Sequence, residues 1–184
     1  MNTLNDSTAT THGFFSSLPW LGYGIALIII VFDQITKNWA TASFEYGEVD
    51  SITSFFNLTL RHNYGVAFSL FDKADGSQRW YLAALAIIVS IVLVIWIGRL
   101  GQSLGKKWTL ELLGLVLILG GAIGNVYDRV VLGYVVDFIE VHYGGYYWPA
   151  FNIADSAISI GAGLLIFDAF FLAKKREENN KKAI

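Results

Sequence analysis

The sequence predicts an all-α membrane protein: four transmembrane helices with a small extracytoplasmic β-sheet between helices 1 and 2. Three observations carry this. Hydrophobic residues make up 54% of the 184, with a mean hydropathy of +0.50, above the range of an ordinary soluble globule. Four windows approach the roughly 20 apolar residues that cross hydrocarbon at about 1.5 Å per residue. Between the first two windows lies a run whose apolar residues alternate instead of recurring at helical spacing.

Met1 to Gly13 carry Asp6 but no Lys or Arg, so residues 1–19 read as a polar tail and not as a secretory signal. The spans follow at about 20–40, 80–98, 108–127 and 153–173, in one membrane domain covering 1–184. Pro19 suits the start of the first helix. The second window is uncharged throughout, and the third is interrupted near its start only by Glu111. In the outer β-region, about 44–71, Phe56, Leu58 and Leu60 alternate with Asn57, Thr59 and Arg61. A second strand-like run, YVVDFIEV, begins at Tyr134, and Gly144, Gly145 and Pro149 then break regular structure.

Four spans put both termini on one side. That side holds Arg99, Lys106, Lys107 and the basic residues from Lys174 to Lys182, whereas the opposite loops hold only Arg61, Lys73, Arg79 and Arg129. The Lys and Arg excess places the termini in the cytoplasm.

Several chemistries are excluded. Cysteine is absent, removing disulfides and thiolate chemistry, and a net charge of -2 without a basic aromatic patch argues against nucleic acid. His12, His62 and His142 are scattered, so no metal site is expected, and no phosphate loop occurs. No cofactor is expected.

Carboxylates on the outer side remain. Alternation places Asp137 on the apolar face of its strand with Val135 and Ile139, where burial raises a carboxyl pKa. If the segment is instead helical, Asp137 is a solvated interfacial residue. Asp155 stands three residues after Asn152 at the start of the fourth span, the spacing of a capping box, and local evidence favours that structural role. Against it, an Asp at the edge of hydrocarbon is costly and usually functional, and a second lies eighteen residues earlier. Gly121, Asn125 and Arg129 share a face of the third span, with Arg129 either holding a polar partner or snorkelling to headgroups. Gly120 and Gly124 allow close helix approach. Asp33 and Lys37, four residues apart, read as a neutralising pair, and Asp168 as a bystander near the cytoplasmic interface.

The segments DQITK (33–37), NYGVAFSL (63–70), GGAIGNVYDR (120–129), VVDFIEV (135–141) and WPAFNIADSAI (148–158) together resemble those of the lipoprotein signal peptidase family, bacterial signal peptidase II. The resemblance runs from the first span to the last. It implies an intramembrane aspartyl endopeptidase of the bacterial inner membrane that cuts diacylglyceryl-modified prolipoproteins before the lipid-bearing cysteine. It also implies Asp137 and Asp155 as the catalytic pair, with Asn63, Asn125, Arg129 and Asn152 supporting the site or binding substrate and Asp33 and Lys37 in support. The expected partners are prolipoprotein and membrane lipid, and the expected state is a monomer. The competing class is a small proton-coupled transporter or channel subunit using Asp137, Asp155 and Arg129 as a relay. It is weakened by a second span with no charged stepping stone.

Overall fold

The computed structural model describes residues 17–65, 78–105 and 107–172. The greater part of the 1–19 tail, the second half of NYGVAFSL and the basic C-terminal run lie outside them. Among the described residues, four helices are long and apolar enough to cross a membrane: α1 Leu18–Ser43, α2 Gln78–Leu104, α3 Leu110–Val131 and α4 Ile153–Phe167, the last continuing as a π-helical turn Asp168–Leu172. Between α1 and α2 lie strands β1 Val49–Thr53 and β2 Phe56–Asn63, and between α3 and α4 lie β3 Val135–Tyr143 and β4 Tyr146–Tyr147.

Local chemistry sets the ends. Pro19 sits in the first turn of α1, where a missing N–H costs nothing. Thr109 Oγ1 accepts the Leu112 N–H at 3.1 Å to start α3, with Glu111 favourably placed near the positive end of the helix dipole. Asn152 caps α4 by accepting the Asp155 N–H at 2.8 Å.

The hub is α3. More than half of its most apolar window, 56%, is buried inside the protein, against 17–28% for the other three helices, which offer most of their surface to lipid. Its first half packs Leu112, Leu115, Val116 and Leu119 against Leu18 and Ala26 of α1 and Leu93 and Ile97 of α2. Its second half carries the polar residues Asn125, Asp128 and Arg129, so the bundle is apolar at one end and polar at the other.

Small residues make this approach possible. A Cβ at Gly120 would lie 2.9 Å from Ile29 Cβ of α1, and one at Gly124 would lie 2.8 Å from Asp33 Oδ2. Gly121 faces α4 so closely that its Cβ would stand 2.3 Å from the Ala154 carbonyl oxygen. Helices in lipid gain stability mainly from such close packing, because tails are as apolar as the helices themselves.

The expected sheet between helices 1 and 2 is present and extends further. All four strands form one antiparallel sheet in the order β1-β2-β3-β4, so the two outer connections are stitched together. β2 meets β3 in a register that sets Arg61 opposite Asp137 and His62 opposite Val136, with an irregularity between Leu58 and Arg61. Phe151, just before α4, bonds to Ile139 through both N–H and C=O at 2.9 Å, tying the sheet to the helix start. Exposed Trp39, Trp80, Tyr81, Tyr127 and Trp148 ring this end of the bundle, as amphipathic rings do at a headgroup boundary.

The Gly121 contact yields a direct expectation. Gly121→Ala drives a methyl group into backbone and should lower stability by about 1–3 kcal/mol, measured by thermal unfolding in mild detergent. Gly163→Ala, where a Cβ meets nothing within 4 Å, should be neutral or slightly stabilising.

Candidate active site

The polar end of the bundle is organised around Lys37. Its side chain, 2% exposed, pairs with Asp33 at 2.7 Å and with Asp128 at 2.9 Å, both of them buried. Two carboxylates face one ammonium, and backbone and amide donors offset the remaining charge. The Ala154 N–H donates to Asp33 Oδ1 at 2.9 Å, Gln34 Nε2 to Asp128 Oδ1 at 2.8 Å, and the Val136 N–H to Asp128 Oδ2 at 3.2 Å. Those donors come from α1, β3 and the first turn of α4, so the cluster pins three elements to α3.

Lys37 also donates to Asn125 Oδ1 at 2.9 Å. An ammonium only donates, so this contact fixes which way the Asn125 amide points. Its NH₂ group is left facing α4, where it donates to Asp155 Oδ1 at 2.7 Å. Asn152 does the complementary work: Oδ1 accepts the Asp155 N–H, and Nδ2 donates to Asp137 Oδ1 at 2.7 Å and to the Val136 carbonyl at 3.1 Å. Asn63 donates to the other Asp137 oxygen at 3.1 Å. One fully buried amide thus ties the Asp137 carboxyl to the Asp155 backbone, while the Asp155 carboxyl itself is held by Asn125.

Asp137 is 2% exposed. Burial, reinforced by the negative charge of Asp155 and opposed by the Asn63 hydrogen bond, pushes its carboxyl up to about 7. Asp155 does not complete a capping box: Asn152 caps the helix, while the Asp155 carboxylate turns to Asn125. Arg129 donates through Nη1 to the Asn125 carbonyl at 3.3 Å and through Nη2 to the Gly65 carbonyl at 3.2 Å. Its buried Nε has no partner among the described residues.

Asn63, Asn125, Arg129, Asp137 and Asp155 line one cleft of about 1220 Å³. From the sheet it continues down the face of α3 between α2 and α4, where Leu82, Leu85, Val89, Ile118 and Ala122 make its wall apolar. All eight site residues expected from sequence are gathered in this region. Asp33 and Lys37 lie behind the cleft, and Asn152 sits between its two carboxyls. Asp168 is buried at the far end of α4. Sequence reasoning missed Asp128 and Gln34. The signal for Asp128 was available, since Gly121, Asn125 and Asp128 fall on one helical face at spacings of four and three.

Fold and site define a multi-pass membrane protein with two carboxyls, Asp137 buried and Asp155 half-buried, lining a cleft that is polar at the sheet and apolar among the helices. The profile of the signal peptidase (SPase) II family matches residues 25–171, and the chain belongs to that family. It is 54% identical to a lipoprotein signal peptidase of Teredinibacter turnerae over 167 residues, covering 91% of this chain and 96% of that protein. A lipoprotein signal peptidase of Cellvibrio japonicus is 50% identical over 151 residues, with 82% and 86% covered. Among solved structures, a bacterial membrane enzyme determined in meso at 2.3 Å superposes with a TM-score of 0.69 at 31% identity, covering 88% of this chain and 92% of the other.

Lys37→Met would leave Asp33 and Asp128 buried without a counter-charge. It should cost about 3–5 kcal/mol in detergent unfolding, with part recovered when Asp33→Asn is added.

Proposed function

We propose that the chain is an aspartic endopeptidase that removes signal peptides from diacylglyceryl-modified prolipoproteins, cutting before the lipid-bearing cysteine with Asp137 and Asp155 as its catalytic pair. The observation that carries this reading is the pair itself: a buried Asp137 carboxyl held by Asn152 and a half-buried Asp155 carboxyl held by Asn125, both lining a cleft that is polar at the sheet and apolar among the helices. Membership of the signal peptidase II family supports the substrate class.

Two carboxyls serving one site share one proton and titrate as a pair; the step begins from the form with that proton on Asp137, whose carboxyl burial pushes up to about 7. The Asp155 carboxylate takes a proton from water, whose oxygen attacks the scissile carbonyl carbon while Asp137 donates its proton to the carbonyl oxygen. In the second half the roles exchange. Asp155 protonates the departing amine of the lipid-bearing cysteine, Asp137 recovers a proton from a hydroxyl of the tetrahedral intermediate, and the C–N bond breaks. The Asn63, Asn125 and Asn152 amides hold both carboxyls in place throughout, and the Arg129 Nε, without a partner among the described residues, supplies a donor for a substrate carbonyl.

The apolar groove between α2 and α4 suits acyl chains that stay in hydrocarbon while the peptide reaches the carboxyls. With Arg99 and Lys107 near the end of α2 and before α3, the basic-residue rule puts the termini in the cytoplasm and the carboxyls at the extracytoplasmic face of the inner membrane.

Asp137→Asn and Asp155→Asn should each reduce cleavage of a diacylated prolipoprotein by about 10²–10⁴-fold or more without loss of membrane insertion, read by mass analysis of products. Normal processing by either variant removes that residue from the pair. A proton on Asp137 is lost as pH rises through about 7, so kcat/KM should fall about tenfold per pH unit above that point. A rate that keeps rising to pH 9 would contradict the role of Asp137 as acid.

A further inference from the structure

A peptide bond within a helix is poorly placed for hydrolysis, because its carbonyl is held by the N–H four residues on. The substrate must therefore unwind where it is cut. At the edge of hydrocarbon, each backbone group freed in this way needs a new partner.

Beside the carboxyls, one stretch of enzyme backbone is in the complementary condition. Val136 stands opposite His62, yet its N–H goes to Asp128 and its C=O to Asn152. That makes 62/136 a non-hydrogen-bonded pair and turns the His62 N–H and C=O toward the outer edge of β2. Strand β1 has already ended there. Among the described residues the last rung on that side is the Gly47 N–H to the Leu60 carbonyl at 2.9 Å, where Gly47 takes a positive φ of +86°. Beyond this rung no described strand pairs with the β2 edge, which is bordered by Tyr46 and Tyr64 and lines the same cleft. The next residue, Asn63, is hydrogen-bonded to Asp137.

We propose that the unwound prolipoprotein segment at the cut docks as a short added strand on the β2 edge at His62, which carries its backbone to the Asp137–Asp155 pair. The inference rests on the peptidase reading above and adds a mode of recognition. Backbone hydrogen bonds hold the chain whatever its side chains, leaving selectivity to the pockets on either side and to the lipid.

His62→Pro removes the edge N–H, and proline is accepted on strand edges whose N–H points outward. His62→Ala removes the ring and keeps the N–H, so it sets the baseline. With full-length protein in micelles and a diacylated prolipoprotein, His62→Pro should fall about tenfold below His62→Ala in kcat/KM. Equal rates for the two variants overturn the proposal. Should the proline variant fold poorly, substrates N-methylated one residue at a time around the cut decide the matter with the unaltered enzyme. Losses of about tenfold at every second position support strand addition, and losses without that alternation overturn it. Failure of the unaltered enzyme to cut the unmethylated substrate would instead bring down the peptidase reading on which the inference rests.

Discussion

The constraint on which the rest of this structure depends is the placing of one lysine charge, Lys37, between two carboxylates at the polar end of a helical bundle. Charges this deeply buried are stable only when paired and hydrogen-bonded. Each bond that meets the requirement also fixes a piece of the architecture: Ala154 at the start of α4, Val136 in β3, Asn125 in α3. The cluster is therefore a fastening for the backbone as much as a set of ion pairs. It also orients the Asn125 amide that holds Asp155.

Much of the architecture was legible in the sequence because the bilayer permits so few solutions. Predominantly apolar windows mark the spans, and alternation marks β2 and β3. Helix ends were less legible. α2 runs from Gln78 to Leu104, past the apolar window at both ends, because a helix continues into the headgroup layer where water and lipid solvate polar side chains. α3 continues to Val131 beyond Asn125, Asp128 and Arg129, since tertiary partners accept those side chains inside the protein. Pairing of β2 with β3 was hidden, because register between Arg61 and Asp137 is set by contacts seventy-six residues apart in the chain.

The site was legible in parts. Asp137 announced itself by standing among apolar residues on an alternating strand. Asn152 was readable as a helix cap, and that reading holds, but its second amide bond, to Asp137, depends on where the sheet lies. Asp155 was ambiguous on spacing alone, since only its tertiary partner Asn125 separates a cap from a free-standing carboxylate. Asp128 was overlooked because Asp33 and Lys37 already formed a balanced local pair. A second acid for the same base becomes evident only once α1 and α3 are packed together.

Asn152 has a consequence for the life of the chain in the membrane. A single buried amide nucleates α4 through one end and grips Asp137 through the other, while Asp155 rides on the first turn of the helix so nucleated. Until that helix has formed and docked on α3, the two carboxyls have nothing to bring them together. On the function proposed above, a newly inserted chain, surrounded by other hydrophobic segments, is in this sense its own proenzyme: maturation is the last act of folding, and an incompletely assembled copy is chemically silent.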